Sequence, residues 1–225
     1  MSFKVFNVTK KIPLVIYKKA EKAALSFCRF QEHYESPNKE FRDSYFSFRK
    51  FKKWYIKENG SFSYPQDWGG FNFPSHIVEN FNKGYFNPLM KREEILLSAL
   101  NEFKPPYYVI GTFKDGNDDL DLFLKHEISH ALFYTSRNYR KNTLDIIHSM
   151  PAKTLKALSQ CLEYGYGENT IIDEIHAYIA TEDFCHFESV DIPKKVAKSL
   201  KNNLNQQLEK RKICIHSLVK DIKSS

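Results

Sequence analysis

The sequence predicts an α+β protein, mostly helical with a small sheet. Two observations point there. Apolar residues recur at helical spacing through most of the chain, and a single segment, Tyr107–Phe113 (YYVIGTF), has the aromatic and β-branched content of a strand. The two prolines before that strand, Pro105 and Pro106, close the helix that precedes it.

Taken in order, residues 14–34 follow Pro13 with apolar side chains at helical intervals and predict the first helix. A second helix is expected through FSFRKFKKWYIK in the aromatic, basic stretch 40–57. Residues 58–75, ENGSFSYPQDWGGFNFPS, are rich in turn formers and read as a packed loop or a binding surface. Helices over 75–83 and 88–103 follow. After the strand, KDGNDD supplies a turn and an N-cap, and a helix is predicted over 119–135. Further helices are expected near 142–149, 151–163, 169–183 and 192–217. Residues 1–104 are expected to form a helical N-terminal portion packed on the core. Residues 105–225 would carry the chemistry and the C-terminal helix, the whole making one compact domain.

Composition narrows the class. Hydrophobic residues make up 42 % of the 225, enough for a core, and aromatics 15 %. Glycine numbers only 8, which argues against a Gly-rich phosphate cradle. The net charge of +7 is spread over several segments and reads mainly as solvated helix faces. Basic and aromatic residues interleave around residues 46–57, but no nucleic-acid motif accompanies them, so a nucleic-acid partner is not expected. Lysines interrupt the N-terminal apolar residues, so neither a secretory signal nor a membrane span is expected. Cys28, Cys161, Cys185 and Cys214 are far apart with no CxxC and read as reduced thiols, mostly packed. These features lead to an expected cytoplasmic location and leave signal-free export, as of an injected effector, open.

The chemistry concentrates in LKHEISHALFY, residues 124–134. His126-Glu127-Ile128-Ser129-His130 is an H-e-x-x-H pattern. On a helix the two imidazoles at i and i+4 share a face and reach one ion, and the adjacent glutamate is placed to act as general base. Zn²⁺ suits two imidazoles with an oxygen ligand and an open position. Leu124, Ile128, Ala131 and Leu132 form an apolar face, and Phe123, Phe133 and Tyr134 flank the histidines, so the helix should be buried. Histidines and a carboxylate buried without partners would be costly, and an ion would satisfy them.

This motif, preceded by a turn and followed by an aliphatic-aromatic continuation, resembles the active-site helix of the zincin metallopeptidases. The resemblance implies a zincin-like fold with the small sheet beside that helix. It also implies that the strand at 107–113 lies at a sheet edge, aligning a peptide substrate by strand addition. Position 136 is Ser, so the metzincin third histidine is absent. The gluzincin branch takes its third ligand from a later helix, and residues 168–183 offer Glu174, with Asp173 and His176 as alternatives. The interval from His130 to Glu174 resembles that of the anthrax lethal factor and Pro-Pro endopeptidase branch. Along this helix Glu174 borders the apolar face, whereas Asp173 is expected to point nearly opposite. The same branch implies a tyrosine for the oxyanion, here Tyr166 or Tyr164. The function implied is zinc-dependent hydrolysis of a peptide or protein substrate with Glu127 as general base. The alternatives are another zinc hydrolysis on the same scaffold, or a basic, aromatic binding module with a vestigial site.

Cys185-His186 has no partner pair at ligand spacing and reads as packing. His148 is expected to help end a helix.

Overall fold

The fold is α+β, seen in a computed structural model that describes residues 3–114, 119–162, 166 and 170–224. Two compact units divide it. The first comprises the described residues up to 114 together with the end of the last helix from Ile222, and the second those from Asp119 to Asp221.

The first unit is built on a four-stranded mixed sheet. Strands β1 (Phe3–Thr9) and β2 (Ile12–Tyr17) are antiparallel. β4 (Tyr108–Phe113) runs parallel to β2, Leu14 opposite Ile110, and antiparallel to β3 (Gly70–Pro74), giving the order β1-β2-β4-β3. Helices α1 (Ala20–Glu35), α2 (Phe48–Asn59), α3 (Tyr64–Asp67), α4 (Ser75–Asn82) and α5 (Lys91–Leu100) complete the unit. α1 packs on β2, β3 and β4. Its Phe27 ring lies so close to the β4 backbone that a Cβ built on Gly111 would stand 2.3 Å from the ring. Only a residue without a side chain fits there.

The core of this unit is aromatic. Phe30 stacks on Phe73 at 5.0 Å and on Phe81 at 3.8 Å, and Phe81 on Phe86 at 4.0 Å. Arg29 of α1, 3 % exposed, makes a bidentate pair with buried Glu93 of α5 and donates to the carbonyls of Phe46 and Phe86. Glu93 also accepts from the backbone N–H of Met90, closing the first turn of α5.

Several expectations change here. Residues 14–17 are strand, not helix, and α1 starts at Ala20. The loop reading of 58–75 gives way to α3 and β3, so the paired glycines of DWGGFNFPS lead into a sheet strand. The strand at 107–113 is interior to the sheet, paired on both sides, and presents no free edge for strand addition. The helix expected over 192–217 divides into α10 (Lys194–Lys210) and α11 (Ile215–Ser224), with Lys212 at φ 56 in the break.

The second unit is helical: α6 (Leu120–Thr135), α7 (Arg137–His148), α8 (Ala152–Leu162), α9 (Ile171–Thr181) and α10. α6 packs on α9 and α7, α10 on α9 and α7, and α8 on α9. Leu124, Ile128, Ala131 and Leu132 are completely buried, as the periodicity of α6 predicts. Each buried leucine or isoleucine among them contributes about 1.5–3 kcal/mol of transfer free energy. Among the described residues, no helix is long and apolar enough to cross a membrane.

Candidate metal centre

Two helices carry the site. α6 begins where the Asp119 side chain accepts from Leu122 N–H, a conventional N-cap. Two turns later His126 and His130 stand on one face, their rings 4.8 Å apart. α9 brings the opposing carboxylates on its first turn, Asp173 and Glu174, where the positive end of the helix dipole favours negative charge.

The ligand atoms converge. Nε2 of His126 and Nε2 of His130 lie 3.0 Å apart. Glu174 places Oε2 3.6 Å from the first and Oε1 3.5 Å from the second. Ligands held at about 2.0–2.2 Å around a tetrahedral zinc stand about 3.3–3.6 Å from one another; the two carboxylate–imidazole spacings match that range, and the imidazole nitrogens, 3.0 Å apart, stand slightly closer than it. The side chains of His130 and Glu174 are 2 % and 4 % exposed, whereas His126 keeps 14 %, so the centre opens on the His126 side.

Within the second unit, Glu174 Oε2 is the only buried side-chain nitrogen or oxygen among the described residues that lacks a hydrogen-bond partner. An orphaned carboxylate oxygen facing an imidazole nitrogen beyond hydrogen-bond reach is costly in a protein interior and is what a cation would complete. Burial alone would lower the His130 pKa, but the Asp173 and Glu174 carboxylates override it and raise it well above the usual imidazole range. Burial likewise opposes ionisation of Glu174, yet the imidazoles of His130 and His126 hold its pKa down. Without an ion, a proton on His130 supplies the positive charge that the carboxylates demand. Two imidazoles and one carboxylate form a borderline donor set that fits zinc.

Asp173 is not exposed, contrary to the helical-face argument. It is 8 % exposed, and its Oδ1 lies 3.1 Å from His130 Nδ1, the ring nitrogen that does not face Glu174. The expectation fails because α9 is enclosed on nearly every side, so its burial has no polar face to mark. His176, the other alternative, is completely buried and reaches Asp173 rather than Glu174, its Nδ1 3.0 Å from Oδ1. Glu127, one position past His126, is buried at 8 % exposure.

No known protein family, curated protein or solved structure matches this chain.

Of the two tyrosines considered for the oxyanion, Tyr166 hydrogen-bonds through its hydroxyl to that of Tyr178 at 2.8 Å, and Tyr164 lies outside the described residues. Tyr178, which helical periodicity assigns to the apolar face of α9, also borders the site. Its ring packs edge-on to His126, centroids 4.6 Å apart, and burial, then the Glu174 carboxylate, pushes its hydroxyl pKa up. Tyr178 is one helical turn after Glu174 and so shares its face. Cys185 and His186 are exposed rather than packed, and the His186 ring stands 4.8 Å from that of Tyr178. α7 ends at His148, as expected.

Proposed function

We propose that the chain is a zinc-dependent metallopeptidase that hydrolyses peptide bonds in a peptide or protein substrate. The observation that carries this reading is the convergence of His126, His130 and the orphaned Glu174 oxygen on one point, with Glu127 beside them on α6. His126 and His130 through Nε2, and Glu174 through its carboxylate, would hold the ion. Bound zinc acidifies water and polarises a carbonyl, which is the chemistry amide hydrolysis lacks at neutral pH.

The remaining steps belong to side chains of this chain. Glu127 accepts the proton of the attacking water as its oxygen bonds to the scissile carbonyl carbon. The protonated Glu127 then delivers that proton to the amine nitrogen as the carbon–nitrogen bond breaks. A structural metal site has no use for a carboxylate in this position, which favours turnover over a vestigial site. The Tyr166–Tyr178 hydroxyl pair, beside His126, supplies the donor for the oxyanion.

The test is zinc quantification of the purified protein together with a peptide-library cleavage assay, comparing wild type with Glu127→Gln. Expected are about one zinc per chain in both proteins and cleavage only by wild type. A zinc-loaded wild type that cuts nothing, or a Glu127→Gln variant that cuts as well as wild type, would overturn the peptidase reading.

A further inference from the structure

We propose that Asp173, His176 and Tyr139 form a buried hydrogen-bond chain behind His130 that fixes which of its ring nitrogens is presented to the metal, and thereby sets metal affinity. The inference rests on the metal centre proposed above. It concerns positioning residues, none of which is placed among the ligands.

The chain runs through three helices. The Tyr139 hydroxyl of α7 lies 2.9 Å from His176 Nε2. His176 Nδ1 lies 3.0 Å from Asp173 Oδ1 and 2.8 Å from the Asp173 carbonyl oxygen. Asp173 Oδ1 lies 3.1 Å from His130 Nδ1. Tyr139 and His176 are completely buried, and the His176 ring is stacked on Phe133 at 5.1 Å and 21°.

With His176 and the metal-bound His130 both neutral, one placement of protons satisfies every contact. His176 Nδ1 faces two oxygen acceptors, so it carries a hydrogen and donates. Its Nε2 then has a lone pair, which the Tyr139 O–H fills by donating. Asp173, an acceptor only, takes a second hydrogen from His130 Nδ1. The lone pair of His130 is therefore left on Nε2, the nitrogen facing His126 and Glu174. With neutral rings, reversing a link sets two lone pairs, or two hydrogens, against each other in a buried place. The same three residues with His130 place their ligand-type atoms within 4.8 Å in one subset, His130, Asp173 and His176, but that subset is spoken for by these hydrogen bonds rather than open to a second ion.

The sequence places the chain economically. Ser136 ends α6 and caps α7, its hydroxyl accepting from Tyr139 N–H, so Tyr139 stands on the first turn of α7. Asp173 and His176 are three apart on α9, on a shared face. A carboxylate behind a metal-bound histidine raises its basicity and fixes its ring, and losing such a partner generally costs 10–100-fold in metal affinity.

The experiment is a zinc titration of the full chain against a competing chelator, with thermal melting of each metal-free protein alongside. Asp173→Asn is expected to weaken zinc binding about 10–100-fold. Tyr139→Phe, which removes one hydroxyl and little volume, is expected to weaken it several-fold. Leu158→Ala removes a completely buried side chain of α8, which supplies no link of the chain. It should lower the melting temperature and leave zinc affinity unchanged, which separates positioning from general destabilisation. If wild type binds zinc and both Asp173→Asn and Tyr139→Phe bind it equally well, the positioning role is overturned while the metal centre stands. Should Asp173→Asn not fold, unchanged affinity in Tyr139→Phe alone overturns it. Absence of zinc binding by wild type would remove the metal centre, and this inference with it.

Discussion

Oε2 of Glu174 lies 3.6 Å from Nε2 of His126, too far for a hydrogen bond and close to the separation of two ligands on one ion. The contact joins the first turn of α9 to the middle of α6.

Removing a ligand should abolish tight metal binding. Glu174→Ala and His126→Ala are each expected to lose more than about 100-fold in zinc affinity, beyond the range for outer partners. Isothermal titration or chelator competition reads this directly. Affinity retained in both variants would mean that the ion, if bound, lies elsewhere.

Glu127→Gln should separate binding from turnover. The amide occupies the same volume but cannot accept a proton, so zinc stays while peptide hydrolysis falls by about 10²–10⁴-fold or more. Steady-state cleavage of a library-derived peptide, with zinc content measured on the same sample, checks it.

Metal binding should strengthen as pH rises. The His130 pKa is raised above its unfolded value, so binding an ion must displace a proton from it, and affinity is lowest in acid. The metal-free protein follows the opposite sign. The His130 contribution to stability is fully present below about pH 6.5, its unfolded pKa, and is lost as pH rises through the higher folded value. Asp173 behaves conversely. Burial opposes its ionisation, but His130 and His176 hold its pKa down to about 2, so its contribution is present above about pH 3.9 and is lost as pH falls toward 2. Melts with a chelator should thus show these groups stabilising most between about pH 4 and 6.5. Added zinc should stabilise increasingly above that window. Zinc affinity equal at pH 5.5 and 7.5 would contradict the account.

The first unit offers a test of the fold independent of the metal. Glu93→Ala leaves the Arg29 guanidinium buried without its carboxylate and should destabilise by about 3–5 kcal/mol in denaturant unfolding. Gly111→Ala forces a methyl against the Phe27 ring and should cost about 1–3 kcal/mol. Neither change should alter zinc stoichiometry.

Much of the second unit was legible in the sequence, because its signals are local. The i, i+4 histidines, the Asp119 cap and the four-residue apolar rhythm of α6 lie within a few turns of chain. The errors fall where distant segments decide. IPLVIY is a continuous apolar run that suits helix or strand. It becomes β2 because it pairs with β4, nearly a hundred residues on. GFNFP is hidden among turn formers and becomes a strand through the other edge of β4. Helical-face geometry turns Asp173 outward because it assumes a wet face, which the enclosed α9 lacks. Tyr139 has no local mark at all; only the packing of α7 beside α9 brings it to His176.

The most direct test of the central claim is elemental analysis of the purified chain beside its His130→Ala variant. The account predicts about one zinc per wild-type chain and essentially none in the variant. A wild-type chain free of zinc after equilibration with it, or a variant that binds as much, would contradict it.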